Sequence, residues 1–267
     1  MQALRYMSVS SLFYPASCTK ITDMIRTFDQ KANRNTDPEK IRTLNPRAII
    51  VPHAGYVYSG YTTNIAYRSI AHLSPKRFIV IGPSHKHYFE GISGSFYEAF
   101  QTPCGNLPID SAYLFALSKR FNIAFVPPAH AKEHSTEVQM PFIQHYFPGH
   151  PVIELVYSAI SVKRLANIMV ALLQNPDNML VVSSDLSHFH PLQEANRIDH
   201  HCTEGIRKLD LAQLKQCEAC GNTSLQAVTV AARYLKLHSK VLHYTTSAAY
   251  SHDTRSVVGY MSALFYQ

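Results

Sequence analysis

Residues 47–60 read RAIIVPHAGYVYSG, and in this stretch an apolar run, residues 48–51, is followed after one proline by His53. Three other short runs are similarly rich in Ile and Val and nearly continuous: residues 78–81, 152–156 and 179–182. Such runs are typical of strands that are buried on both faces of a parallel sheet. The sequence therefore predicts a buried sheet with a histidine-bearing loop at the end of one of its strands.

Helical patterns lie between these runs. Apolar residues recur at i, i+3, i+4 and i+7 in two segments, at Ile21, Met24, Ile25 and Phe28 and again at Leu165, Ile168, Met169 and Leu172. The residues expected to cap helices are Asp110, Ser161, Asp210 and Thr223. We predict a single three-layer α/β domain over residues 1–267, with a mostly parallel central sheet flanked by helices. Residues 241–246 and 256–265 are expected to be its last strands, and residues 33–46 a surface loop.

The composition excludes several classes of protein. The chain has 267 residues, of which 46% are hydrophobic and 16% charged, so it has enough apolar material to fold. The formal charge of +7 is spread along the sequence without a basic run, which argues against nucleic acid as a partner and for a solvated surface that favours an anionic substrate. No segment has the roughly 18 consecutive apolar residues of a membrane span.

The N-terminal residues lack the features of a secretory signal, so the chain is expected to be cytoplasmic, where thiols stay reduced. The five cysteines are irregularly spaced and do not predict a disulfide framework. A cysteine with a function is therefore expected to act as a metal ligand or a nucleophile.

Histidines follow three of the predicted strands, at His53, His85 and His188. Ligands bind outside the carboxyl ends of strands in open α/β sheets, so these three loops are expected to meet in one crevice. For other histidines an ordinary core or surface role is the simpler interpretation: His72, His87, His130, His145, His150 and His243. Glycines 55 and 82 beside the first two loops are expected to allow positive φ or a close approach of the backbone.

Neutral imidazole is the commonest metal ligand, so His53 and His85 are predicted to hold one ion. The residues alone do not decide the third ligand, and the candidates are Asp185, Glu133, Cys217 and Cys220. Cys217 and Cys220 form a C-x-x-C, which is a weak signal without a second pair or a preceding strand.

Other polar residues near these loops have two interpretations each. Asp185 and His188 are candidates for proton transfer, and capping of its loop is the rival role for Asp185. Glu133 and His134 either line the pocket and orient a ligand or simply precede a helix capped by Ser135. Tyr56 and Ser84 are the remaining predicted pocket-lining residues.

Together these segments resemble the Memo family, which includes the bacterial proteins called AmmeMemoRadiSam system protein B. The motifs that carry the resemblance are residues 47–56 with Tyr58-Ser59-Gly60, residues 81–85, Thr102-Pro103 with Gly105, residues 133–144 and residues 182–188. They run in order across most of the chain, from residues 13–15 to residues 256–260.

The resemblance implies a fold related to class III extradiol ring-cleaving dioxygenases, which hold iron(II) with two histidines and a carboxylate. In the Memo family a cysteine followed by glycine takes the place of the carboxylate, and it matches Cys220-Gly221 here. The resemblance thus favours Cys220 as third ligand and gives His188 the acid or base role. It also implies iron or copper as cofactor, with zinc less favoured, and radical-SAM and AMMECR1-like proteins as partners.

Three functions follow as hypotheses. The first is a dioxygenase-like redox protein that acts on a small molecule through iron(II) or copper. The second is a zinc site that activates water for hydrolysis. The third is a module that holds a peptide or protein partner in an inherited pocket, using nearby aromatic residues.

Overall fold

The four predicted apolar runs lie side by side in one sheet of the computed structural model, which describes residues 2–33 and 43–267. They form β2 (Pro46–Val51), β3 (Arg77–Pro83), β7 (Val152–Tyr157) and β8 (Asn178–Ser183). The other strands are β1 (Gln2–Arg5), β4 (Ile92–Gly94), β5 (Tyr97–Thr102), β6 (Gly105–Pro108), β9 (His188–His190), β10 (His238–Thr246) and β11 (Val257–Tyr266).

Helices of the described residues connect these strands. In chain order they are α1 (Cys18–Asn33), α2 (Tyr56–Ile70), α3 (Ser111–Phe121), α4 (Pro127–Ala131), α5 (His134–Glu137), α6 (Met140–Tyr146), α7 (Val162–Gln174), α8 (Leu192–Lys208), α9 (Leu211–Leu214), α10 (Asn222–Tyr234) and α11 (Ala248–Ser251).

The main sheet has the strand order β10-β11-β2-β8-β3-β7-β4, and β9 pairs with β11. Its centre is parallel, because β2, β8, β3 and β7 pair in the same direction. Antiparallel strands flank this centre, with β11 beside β2 and β4 beside β7. A smaller sheet of β1, β5 and β6 lies apart from it. The predicted parallel sheet is thus confirmed at its centre, and its outer strands are antiparallel.

Successive side chains of the central strands pack on opposite sides of the sheet. In β2, Ala48 and Ile50 join a core cluster with the apolar faces of α7 and α10, whereas Ile49 and Val51 join a second cluster with α1 and α2. This alternation follows from the two-residue period of a strand. Helices therefore cover both faces, which confirms the three-layer α/β architecture.

Three of the predicted helix caps are confirmed. The side chains of Asp110, Ser161 and Asp210 each accept a hydrogen bond from a backbone N–H in the first turn of α3, α7 and α9. Thr223 is not a cap, because α10 begins one residue earlier after Gly221. The loop predicted at 33–46 falls mostly on residues 34–42, which lie outside the described residues.

The expectation that all five cysteines stay reduced is wrong. Disulfides join Cys18 to Cys104 and Cys202 to Cys217, and Cys220 is the free thiol. The folded chain brings each pair to a Cα–Cα distance of 4.7 Å, although 86 and 15 residues separate them in the sequence. Cysteine spacing therefore gave no indication of these pairs, and cysteine usage no longer supports a reducing compartment.

Glu137 is a buried anchor for the N-terminal segment. Its carboxylate accepts hydrogen bonds at 2.8 Å from the backbone N–H groups of Ser8 and Val9 and from the hydroxyls of Ser8 and Tyr14. The guanidinium of Arg5 lies 3.3 Å from the same carboxylate, and both side chains are almost wholly buried. A buried charge needs such partners because desolvation is costly. Glu137 therefore ties the segment before α1 to the helical layer.

None of the helices in the described part of the chain combines the length and the apolar character needed to cross a bilayer.

Candidate metal centre

Loops from distant parts of the chain meet at the carboxyl edge of the parallel strands. His53 follows β2, His85 follows β3, and Cys220 comes just before α10. One ligand atom from each of these three side chains lies within 4.8 Å of the other two. The arrangement arises because parallel strands end at the same edge of a sheet. The structure therefore brings together the two imidazoles and the sulfur that the sequence and the resemblance had indicated.

Cys220 lies partly buried beside the ring of His53. Its Sγ lies 3.1 Å from His53 Nε2, and the backbone N–H of Asp185 donates to the sulfur at 3.3 Å. Burial, and then the charge of Asp185, raise the pKa of the Cys220 thiol to about 12. The thiol is therefore neutral near pH 7, and a cation bound there would take the place of its proton.

The ring of His53 is held in one tautomer. Its Nδ1 lies 3.1 Å from Ser183 Oγ, while that hydroxyl donates to the carbonyl of Ser135 at 2.5 Å. Ser183 Oγ also accepts a hydrogen bond from Gln139 Nε2 at 3.1 Å. Since the hydroxyl proton is already donated, Nδ1 of His53 must carry the proton of the ring and donate it. The lone pair of Nε2 is then directed toward Cys220.

The ring of His85 is fixed by Glu133. His85 Nδ1 lies 2.9 Å from Glu133 Oε1, and the backbone N–H of His85 donates to Oε2 at 2.6 Å. Burial opposes ionisation of Glu133, but hydrogen bonds from His85 and from the Ser135 N–H lower its pKa to about 2. A carboxylate only accepts hydrogen bonds, so Nδ1 of His85 donates and Nε2 keeps its lone pair. Glu133 also caps α5, the role that the sequence had given to Ser135.

Burial lowers the pKa of His53 well below its ordinary value, with the neighbouring His85 as the next cause. The imidazole is therefore neutral near pH 7, which is the form that binds metals. Burial and the neighbouring histidines likewise lower the pKa of His134 to about 4.

Asp185 and His188, the two residues predicted to transfer protons, differ in burial. Asp185 is buried, and its Oδ1 accepts the backbone N–H of His53 at 2.7 Å, so it ties the loop after β8 to the loop after β2. Burial raises the pKa of this carboxyl. His188 is partly exposed at the start of β9, near enough for its charge to lower the pKa of both Asp185 and His53. Asp185 thus positions the His53 loop, whereas His188 is partly exposed to solvent.

His134 completes a cluster of three imidazoles. Its ring centroid lies 4.5 Å from that of His85 and 5.3 Å from that of His53. His85, Glu133 and His134 also form a second group whose ligand atoms lie within 4.8 Å of one another. Phe13 packs on His134 with a centroid distance of 4.7 Å, so the N-terminal segment covers this side of the cluster.

Tyr56 and Ser84, predicted to line the pocket, instead support its loops. Tyr56 is buried, packs on Phe142 and donates its hydroxyl proton to the carbonyl of Val138 at 2.7 Å. Ser84 donates to the carbonyl of His87 at 2.7 Å and so closes the turn that presents His85. Both side chains make contacts that fix the backbone beneath the centre.

Glycine is required at position 82 by packing and not by a positive φ. A Cβ on Gly82 would lie 2.5 Å from Ser135 Oγ and 2.9 Å from Ser135 Cβ, because β3 and α5 approach closely there. A Cβ on Gly55 would find its nearest atom, the carbonyl oxygen of Phe13, at 3.6 Å, which is ordinary contact. The positive-φ glycines among the described residues are Gly91, Gly105 and Gly149.

We expect Gly82→Ala to lower the free energy of unfolding by about 1–3 kcal/mol, as overpacking of a closed interior does. Gly55→Ala is the comparison: its Cβ meets only ordinary contacts, but it replaces the N-cap of α2, so we expect a smaller fall in the urea midpoint than for Gly82→Ala. Equal midpoints for the two variants would contradict the close approach of Ser135 to β3.

Sequence reasoning missed Ser183, Gln139 and Glu218. The first two form the hydrogen bonds that fix His53, and Glu218 accepts a hydrogen bond from His190 Nε2 at 3.0 Å, which joins the Cys220 loop to β9. Ser183 stands between a predicted strand and Asp185, so its position next to a strand end was a usable signal. Gln139 and Glu218 lie outside the strand-end loops, and nothing in their local sequence indicated these contacts.

Fold and site together define a three-layer α/β protein with a His-His-Cys group at the carboxyl edge of its sheet. A family model described as Memo-like protein matches residues 5–264, and the chain belongs to this family. A MEMO1 family protein of Methanobrevibacter smithii is 29% identical, and one of Sulfolobus acidocaldarius is 30% identical. Each alignment covers 98% of this chain and 99% of the relative.

A solved structure of an uncharacterized protein from Escherichia coli K12 has a similar fold. The TM-score is 0.53 at 12% identity, and the match covers 80% of this chain and 98% of the other. At this identity the similarity concerns the fold alone. The architecture is also consistent with the expected relation to class III extradiol dioxygenases.

Proposed function

We propose that this chain is a non-haem iron or copper redox protein whose metal is held by His53, His85 and Cys220. The observation that carries the proposal is the fixed tautomer of both rings. Ser183 Oγ and the Glu133 carboxylate each accept a hydrogen bond from the Nδ1–H of one histidine, so both Nε2 lone pairs are available beside the sulfur. Histidines that bind metals are typically oriented by such outer partners.

The donor set fits these metals. A thiolate is a soft ligand that suits Cu(I) or iron, and imidazole binds both. Three protein ligands also leave coordination positions open, as in catalytic sites. When bound, iron or copper would supply one-electron redox chemistry for a small-molecule substrate.

The protein's own residues have separable tasks in this proposal. Asp185 holds the His53 loop through the 2.7 Å hydrogen bond to its backbone. His188, which is partly exposed, would move protons between the site and solvent. His53 is buried and Cys220 is partly buried, whereas His85 is open to solvent, so an ion held there would remain accessible to a small-molecule substrate.

A peptide or protein-binding role is the second candidate, favoured by exposed aromatic rings close in sequence to His85 and His188. Phe189 directly follows His188 and is 76% exposed, and Tyr88, three residues after His85, is 77% exposed. Exposed aromatic residues around a pocket are common in recognition sites. Binding of a partner that is unaffected by His53→Ala would separate this role from the metal centre.

The test is metal content followed by oxygen consumption. The protein is purified without added metal, analysed for iron, copper and zinc, then loaded anaerobically with Fe(II) or Cu(I) and exposed to O₂. We expect metal-dependent O₂ uptake that His53→Ala abolishes, while His72→Ala, an exposed histidine beyond the far end of α2, retains it. Zinc alone in the purified protein, with no O₂ uptake after loading, would favour hydrolytic chemistry and contradict the proposal.

Glu133→Gln keeps the size of the side chain but removes the charge that holds the Nδ1 proton of His85. We expect metal affinity to fall about 10–100-fold, the usual cost of losing an outer partner of a metal-binding histidine. The measurement is anaerobic competition with a chromophoric chelator. Affinity equal to that of the wild-type chain would show that Glu133 acts on α5 alone.

A further inference from the structure

The loop that presents Cys220 also carries one end of a disulfide. Residues 215–221 connect α9 to α10, and within them Cys217 is bonded to Cys202 of α8. Cys220, three residues further on, provides the sulfur of the candidate centre. All five cysteines lie in the described part of the chain, so this loop holds the one free thiol next to a disulfide.

The other attachments of this loop are weaker. The Glu218 carboxylate, which is half exposed, accepts from the N–H of His188 at 3.3 Å and from His190. Gly221 donates to Ser184 Oγ at 3.0 Å, and Asn222 Nδ2 donates to the carbonyl of Cys217 within the same segment. Exposed ion pairs contribute little because water and salt screen them. The disulfide is therefore the covalent attachment of the loop to α8.

We propose that the Cys202–Cys217 disulfide is a redox switch that controls the position of Cys220. With the bond intact, the loop is held on α8 and Cys220 Sγ stays 3.1 Å from His53 Nε2. After reduction the loop keeps its hydrogen bonds, the half-exposed ion pair of Glu218 and the packing of Cys217 and Ala219 in the core. It loses its covalent bond to α8, so the sulfur can move away from the two imidazoles. The effect on metal affinity rests on the proposed function, whereas the release of the loop does not.

The reductant is a dithiol, either a small molecule or a protein with two neighbouring thiols. Its thiolate attacks Cys217 Sγ, since Cys217 is 6% exposed and Cys202 is fully buried. The Cys202–Cys217 bond breaks, and Cys202 leaves as a thiolate that takes up a proton. The second thiol of the reductant then attacks the mixed disulfide, which frees Cys217 and leaves the reductant oxidised. Two electrons and two protons have passed to the protein.

The first test needs no metal. Cys220 is the one free thiol both in the wild-type chain and in the double variant Cys202→Ser/Cys217→Ser, so alkylation by iodoacetamide reports its accessibility directly. We expect the variant to be alkylated at least about tenfold faster at the same pH, because exposure governs the reactivity of a thiol. The control is Cys18→Ser/Cys104→Ser, which removes the other disulfide and should react at the wild-type rate.

Circular dichroism shows whether each variant is folded, and Cys202→Ala/Cys217→Ala provides an apolar replacement if the serine pair disturbs the core. The wild-type chain reduced under native conditions, with the alkylated cysteines located by peptide mapping, gives the same comparison without mutation. The proposed switch is contradicted if Cys220 of the folded protein is alkylated equally fast with and without the Cys202–Cys217 bond.

The second test measures the affinity for Co(II) anaerobically, as a spectroscopic probe of the thiolate ligand. We expect the disulfide-intact chain to bind cobalt about 10–100-fold more tightly than the Cys202→Ser/Cys217→Ser variant, the range for loss of outer support. No cobalt–thiolate absorption in the intact chain would contradict the proposed metal centre. Equal affinities in the two proteins would contradict the switch and leave the centre standing.

Discussion

Cys220→Ser is expected to abolish tight binding of iron or copper. A serine hydroxyl has nearly the same size as the thiol, but it is a harder donor and does not ionise near pH 7. The loss should exceed the roughly 10–100-fold that removal of an outer partner costs, because a direct ligand is lost. Anaerobic titration against a chromophoric chelator measures the two affinities.

The control for this substitution is Cys18→Ser/Cys104→Ser, which removes two sulfur atoms elsewhere in the chain and should leave the affinity unchanged. Wild-type affinity in Cys220→Ser would mean that the two imidazoles bind the ion with some other partner. The neighbouring group of His85, Glu133 and His134 would then be the first place to look for it.

Glu137→Ala is expected to lower the free energy of unfolding by about 3–5 kcal/mol, the cost of breaking a buried ion pair by removing one partner. The substitution removes the carboxylate beside the buried guanidinium of Arg5. It also leaves the hydrogen-bond donors of Ser8, Val9 and Tyr14 without their acceptor. Glu137→Gln keeps the volume and two acceptor lone pairs, so its loss should be smaller. Urea denaturation followed by circular dichroism gives both values.

Glu194→Ala serves as the comparison, since Glu194 pairs with Arg197 on the exposed surface of α8 and should leave the urea midpoint unchanged. A midpoint for Glu137→Ala that equals the wild-type value would refute the anchoring role of this carboxylate. Because Phe13 packs on His134, loosening of the N-terminal segment should also expose the imidazole cluster to solvent.

The parts of the fold that were predictable from sequence are those set by local pattern. The runs that became β2, β3, β7 and β8 are apolar at nearly every position because both faces of the sheet are covered. His53 and His85 could be placed in one site because the strands before them are parallel. Their convergence followed from topology and did not require any knowledge of side-chain contacts.

The parts that sequence did not reveal depend on contacts between distant segments. Cys220 precedes a helix and follows no strand, so only its match to the Memo family pattern selected it over Cys217. Glu137 stands in a polar stretch whose first residue, Glu133, orients His85, and nothing local distinguishes the two carboxylates. The disulfide partners are likewise defined by packing of α1 on one side of the sheet and α8 on the other.

The place of β11 in the sheet has a consequence for how the protein is made. This strand, residues 257–266, fills the position between β10 and β2, although β2 is synthesised long before it. Synthesis proceeds from the N-terminus, so on the ribosome β2 presents an open hydrogen-bonding edge until the last strand of this sequence emerges. We expect a nascent chain in this state to bind chaperones. Ribosome-bound chains that end before residue 257 should be markedly more sensitive to protease than the released protein.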